Sequence, residues 1–201
     1  MKLNHLIPLL CLTTAAYAAP ETFDFKDPKG VNNAVFKLDA PLESVNGSAS
    51  GISGTVIFDP ENPGATTGTI VVAAESLTVP NPMQKVHLHS EHWLDVGRYT
   101  NITFEAKSLG NVKTEGDVTT ADVSGTFTLH GVVKDITVPV KFSYLKDKLG
   151  ARVPKMNGDL LVIRANFTID RRDFNIMKGQ YEDKVADTIE LSLSIAGASP
   201  K

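Results

Sequence analysis

From position 20 onward, apolar and polar side chains alternate with period two. Ile136, Val138, Val140, Phe142 and Tyr144 are apolar at every second position. Leu161, Ile163, Ala165, Phe167 and Ile169 repeat the pattern. Ile189, Leu191, Leu193 and Ile195 repeat it again, with Glu190, Ser192 and Ser194 between them. Successive side chains of a strand point to opposite faces, so each run predicts a strand with one apolar and one wetter face. Shorter runs lie at 56–58, 70–74, 102–106 and 123–129. The breaks carry turn chemistry. Asp59-Pro60-Glu61-Asn62-Pro63-Gly64 reads as a loop, Gly131 as a tight hairpin, and Gly150 with Asn157-Gly158 as the bounds of a further connection. About eight to nine strands are expected. The segment 80–97 lacks the alternation and holds Pro80, Pro82 and Trp93, so it reads as a short helix or structured loop.

Antiparallel strands with one apolar face bury it by closing into a barrel or by packing as two sheets. Periodicity alone leaves both open. Gly125, Gly131 and the glycines at 47, 51 and 54 supply kinks of the kind a closed barrel uses. A length of 201 residues with 42% hydrophobic and 21% charged residues fits one folded domain, without repeat or low-complexity tract. The net charge of −3 leaves no electrostatic footprint for nucleic acid or for an anionic membrane surface.

The first residues have the form of a secretory signal. Lys2 and His5 precede an apolar stretch at 6–16, which is too short for a bilayer that takes roughly 20 residues. Ala16-Tyr17-Ala18 places small residues where a signal peptidase reads. The expected division is a signal peptide at 1–18 and a single domain at 19–201, exported and with no transmembrane segment in the mature chain. Cys11, the only cysteine, lies inside the signal after Leu10, which is not a lipoprotein context. Cleavage after Ala18 leaves no disulfide and no thiolate nucleophile.

Five segments in order carry a family resemblance. They are Gly54-Thr55-Val56-Ile57-Phe58-Asp59-Pro60, His87-Leu88-His89-Ser90-Glu91-His92-Trp93-Leu94-Asp95 and Tyr99-Thr100-Asn101-Ile102-Thr103-Phe104, followed by Leu129-His130-Gly131-Val132-Val133-Lys134-Asp135-Ile136-Thr137-Val138 and Arg171-Arg172-Asp173-Phe174-Asn175-Ile176. With these the chain resembles the YceI family over nearly all of its mature length. The family's opening aspartate-x-x-histidine-serine strand is replaced here by Asp27-Pro28-Lys29-Gly30-Val31-Asn32-Asn33, without the histidine. The resemblance implies an all-β, lipocalin-like antiparallel barrel of about eight strands. It also implies a periplasmic location and a long cavity for an isoprenoid lipid, such as a polyprenyl chain or a quinone tail.

The inward apolar faces are the expected wall. The candidates are Phe104, Phe127, Leu129, Phe142, Phe167, Ile169, Leu191 and Leu193, with Trp93 and Tyr99 placed to cover one mouth. Two alternatives stay open. The same side chains can fill a solid core, leaving a stress or interaction module. The histidines 87, 89 and 92 can bind zinc or copper, with Glu91 or Asp95 adding a carboxylate. A strand would align 87 with 89 and a helix 89 with 92, so no single regular element aligns all three. His130, before a turn glycine, is expected to be exposed. Arg171-Arg172-Asp173 either receives a polar head group or forms a surface ion pair that closes a hairpin. Nucleophile serines flanked by glycine, phosphate-cradling loops and dinucleotide fingerprints are absent, so neither an enzyme nor a cofactor is expected. A homodimer stays open.

Overall fold

The computed structural model describes residues 19–201; the expected signal peptide and Cys11 lie outside them. Ten strands form one antiparallel sheet: β1 (Glu21–Asp24), β2 (Asn33–Asp39), β3 (Ser44–Ala49), β4 (Ile52–Phe58), β5 (Thr67–Ala73), β6 (Asn101–Glu115), β7 (Val118–Leu129), β8 (Val132–Leu145), β9 (Gly158–Asp170) and β10 (Thr188–Pro200). Helix α1 (Pro82–His89) lies between β5 and β6, and the short α2 (Leu149–Arg152) lies between β8 and β9. The order is β1-β4-β5-β6-β7-β8-β9-β10-β2-β3, and β10 also pairs with β1 at Ala198↔Asp24. Thus β10 meets β2 along one half and β1 along the other. Strands β1 and β2 are two pieces of one stave, and β3 and β4 are two pieces of the next. The sheet closes as an eight-staved barrel, which removes the sandwich alternative.

The interrupted stave has a local cause. Asp27 accepts hydrogen bonds from the amides of Val31 and Asn32, both at 2.6 Å, and Gly30 takes φ 65°. This folds the Asp-Pro-Lys-Gly stretch out of the sheet. Asn32 then stitches the break shut. Its Nδ2 donates to the carbonyls of Phe25 and Ala196, and its Oδ1 accepts from the Ala196 amide and from Arg152. The departure from the family's usual opening strand lies in this break.

The β7–β8 hairpin turns at His130-Gly131, with φ of 51° and 72°, the left-handed pair that a two-residue hairpin turn requires. His130 is half-buried, contrary to expectation. Its Nδ1 is 3.0 Å from the Phe174 carbonyl, and its ring meets Tyr99 edge-on at 4.8 Å. The turn is folded back against its neighbours and does not project into water.

One seam of the barrel is only half zipped. Strand β8 pairs with β7 from Val132 to Ser143 but with β9 only from Val140 to Leu145. Strand β9 pairs with β10 along its whole length. The β8–β9 ladder stops beside Pro139, which has no amide hydrogen to donate.

The interior divides in two. At one end Phe23, Phe25, Phe58, Leu149 and Leu161 are essentially fully buried. The rings of Phe58 and Phe142 stack at 5.8 Å, and Tyr144 tilts against Phe58 at 6.1 Å. At the other end inward side chains of β5, β6, β9 and β10, among them Ile70, Phe104, Phe167 and Leu191, are only half-buried.

Candidate functional site

Inward apolar side chains that keep accessible surface inside a closed barrel require empty space, and the space is there. A cavity of about 730 Å³ runs down the bore. Its floor is made by Val140, Phe142, Ile163 and Ala165, and its walls by residues of β2 to β10. Along β9, Ile163 to Ile169 cover about 20 Å of strand. The solid-core alternative does not describe this interior.

Alternation is what builds the wall. On β9, Ile163, Ala165, Phe167 and Ile169 face inward while Arg164, Asn166 and Thr168 face water. On β10, Ile189, Leu191 and Leu193 do the same. Phe127 meets Phe167 edge-on at 6.3 Å and Phe174 at 5.6 Å, which fixes the aromatic side of the bore.

Two irregular segments make the mouth. Helix α1 starts cleanly because the Asn81 side chain accepts from the amides of Met83 and Gln84, and Pro82 stands in the first turn. The Nε2 of His89 lies 2.7 Å from the Leu77 carbonyl and ties the helix end to the barrel rim. The second segment, residues 175–187, crosses towards it. Trp93 and Tyr181 lie 6.4 Å apart, ring centre to ring centre, across the opening.

Phe104, Phe127, Leu129, Phe142, Phe167, Ile169, Leu191, Leu193 and Trp93 all line the cavity. Tyr99 does not: it packs on the outside of the hairpin turn against His130, with the Arg98 guanidinium 5.2 Å from its ring. Phe36, Leu38 and Val45 of β2 and β3, and Met177 and Val185 of the mouth, line it as well. The first three sit in alternations only two or three residues long, and the last two have no period at all, so only their apolar character marked them.

The histidine triad is not assembled. His89 is engaged with Leu77, while His87 and His92 are exposed. Among the described residues, no three His, Cys, Asp or Glu side chains converge on a point suited to a metal ion. Helical spacing over α1 separates His87 from His89, and His92 lies beyond the helix end.

Arg171 is neither a surface residue nor a free receptor. It is fully buried, and its guanidinium donates to the carbonyls of Ile176, Met177, Gln180, Val185 and Ala186 while pairing with Asp187 at 2.8 Å. It is the hub on which the 175–187 segment folds. Arg172 brackets the same carboxylate from outside, at 3.0 Å, and also holds Asp170.

Below the floor lies a polar plug. Asp159 is fully buried and accepts from the Asp147 amide at 2.7 Å, from Lys201 at 2.8 Å and from the Tyr144 hydroxyl. Burial alone would raise its carboxyl, but these three donors outweigh it and hold it at about 2. Burial, and then the Asp159 contact, raise the Tyr144 hydroxyl. Burial, and then the same negative charge, raise Glu21. The plug seals one end of the bore and leaves the mouth at the other.

The YceI-like domain model matches residues 28–196. The chain is similar to protein YceI of Salmonella newport, with 28% identity over 197 residues, covering 98% of this chain and 95% of that protein. It is 29% identical over 151 residues to a UPF0312 protein of Ectopseudomonas mendocina, covering 75% and 73%. In fold it is similar to Burkholderia cenocepacia BcnA, with a TM-score of 0.66 and 19% identity over 82% of this chain and 95% of that one. It is also similar to a polyisoprenoid binding domain from Saccharophagus degradans, with a TM-score of 0.63 and 12% identity over 90% and 100%. The matched span takes in the half-zipped seam, the hairpin turn and nearly the whole cavity wall, and by that match the chain belongs to the YceI-like domain family.

Proposed function

We propose that the protein is a non-catalytic carrier that holds one long isoprenoid tail, of polyprenyl or quinone type, inside the barrel, and that it works in the periplasm after export. The observation that carries this reading is the hollow, apolar bore with a sealed floor and one mouth. Its volume of about 730 Å³ lies within the roughly 300–1,000 Å³ of small-molecule sites. An empty bore of this kind would hold poorly bonded water, since its lining offers few polar partners. Burial of apolar carbon gains about 0.8 kcal/mol per methylene, and association forfeits about 4–15 kcal/mol. A short alkyl group therefore gains too little to bind, and a tail of many carbons is required. The fold neighbour from Saccharophagus degradans is described as a polyisoprenoid binding domain, which supports the same ligand class. No helix among the described residues is long and apolar enough to cross a membrane.

The test is organic extraction of the protein from the periplasm of its native host, followed by mass spectrometry of the extract and of the intact chain. An isoprenoid in equimolar amount and a mature chain starting at Ala19 are expected. A protein free of isoprenoid would overturn the carrier reading, and a chain retaining residues 1–18 would overturn the export reading. Trp93, the only tryptophan, stands at the mouth and reports on added ligand by its fluorescence.

A further inference from the structure

An isoprenoid ends in a head group, and the residues at the mouth constrain its charge. Among the described residues, only two cationic side chains other than histidine touch the cavity, Arg171 and Lys184. Arg171 has five N–H groups, and all five are directed at protein carbonyls: Nε at Ala186, one terminal nitrogen at Ile176 and Met177, the other at Gln180 and Val185. Its charge is met by Asp187. No donor and no net charge of this guanidinium remain for a ligand. Lys184 is exposed and shares the lining with one carboxylate, Glu43. His87 and His92 are exposed to water.

A phosphate head carries about −1.5 to −2 at neutral pH. Moving it to a partly apolar rim requires paired, bonded cations. The rim supplies none beyond the single exposed lysine. What it supplies instead are neutral polar side chains: Gln84 on α1, Ser90 at its end, and Gln180 and Tyr181 on the facing segment. These can donate to, or accept from, a carbonyl or a hydroxyl.

We infer that the mouth is built for an uncharged, oxygen-bearing head, a quinone ring or a free prenyl alcohol, and discriminates against a phosphate or diphosphate on the same tail. This rests on the carrier reading above. The two uncharged heads share one recognition chemistry, and the arms of the test separate them.

The mature, delipidated protein is titrated at about pH 7.5, where a phosphate head is mostly dianionic, with a prenyl alcohol, a quinone and a prenyl monophosphate of equal tail length, and Trp93 fluorescence is read. The phosphate is expected to bind about tenfold more weakly than the better of the two uncharged ligands. Equal or tighter binding of the phosphate overturns the inference and leaves the carrier reading standing. Failure of all three ligands overturns the carrier reading and this inference with it. The double variant Gln84→Lys, Gln180→Lys places two cations on opposite sides of the mouth. It is expected to shift the phosphate-to-alcohol preference towards phosphate by about tenfold, less at high salt. An unchanged preference would place the head elsewhere and overturn the inference.

Discussion

The two halves of the barrel are built from the same strands and behave differently. Near the floor, Phe58 and Phe142 stack, Leu161 is fully buried, and Tyr144 and Asp159 tie the end together. Near the mouth, Phe104, Phe167 and Leu191 point inward yet stay half-buried, because the bore they face is empty. Alternation is equally regular in both halves. What differs is whether side chains from opposite walls reach one another, which depends on residue size across the bore and on what closes each end. The floor half supplies stability, and the mouth half gives part of it up to keep space for a guest.

The largest effect expected on this contrast is Phe58→Ala. It removes a ring with 1% exposure from the floor stack and should lower the unfolding free energy by about 3–5 kcal/mol in a denaturant titration. Tail binding measured by Trp93 fluorescence should survive, and a parallel loss of binding would show that the halves are not separable.

Next is Asp159→Asn. The Asp159 carboxyl titrates at about 2 in the folded chain, against an ordinary value near 3.9. A carboxyl held low stabilises the fold above the ordinary value, and that contribution fades as pH falls from about 4 to about 2, for a total of about 2–3 kcal/mol. Denaturation curves should therefore coincide for wild type and variant below about pH 2 and separate between about 2 and about 4, where the gap reaches its full size. A gap that does not close between about pH 4 and about pH 2 would disprove the assignment.

A matched pair sharpens the contrast further. Ala121→Leu forces extra methylenes into the filled half and should destabilise by about 1–3 kcal/mol. Ala106→Leu points into the bore, where there is room, so its effect on stability should be much smaller while tail affinity falls. Equal losses of stability would mean that the bore is not empty in solution. Among the substitutions expected to weaken the fold, His89→Ala, which removes the tie from α1 to Leu77, should cost least, about 1 kcal/mol, with no change on adding zinc.

Much of the fold was legible because β8, β9 and β10 each carry four or five alternating apolar positions. The wall candidates on them were legible for the same reason. Strands β1 to β3 were not, since their runs are short and broken by Asp27-Pro28-Lys29-Gly30, and only the stitch at Asn32 makes two pieces act as one stave. Closure was equally hidden, because it depends on β10 meeting β1 far along the chain. Arg171 reads as a surface charge in sequence, since nothing local shows that five carbonyls of the next fifteen residues fold around it. Tyr99 shares the irregular stretch with Trp93, but the path of the chain carries it to the outer side of the turn. The size of the bore could not be read at all, because alternation assigns faces and says nothing of the distance between opposing walls.

The missing amide hydrogen of Pro139 has a consequence for the guest. Above it, residues 132–139 of β8 and 166–170 of β9 each keep a row of backbone groups that no neighbouring strand claims. A closed barrel ordinarily has no free margin, but this one keeps two unpaired ones beside the hollow half. Parting β8 from β9 there breaks no rung of the ladder, so this stretch of the hoop costs less to open than any stretch paired on both sides.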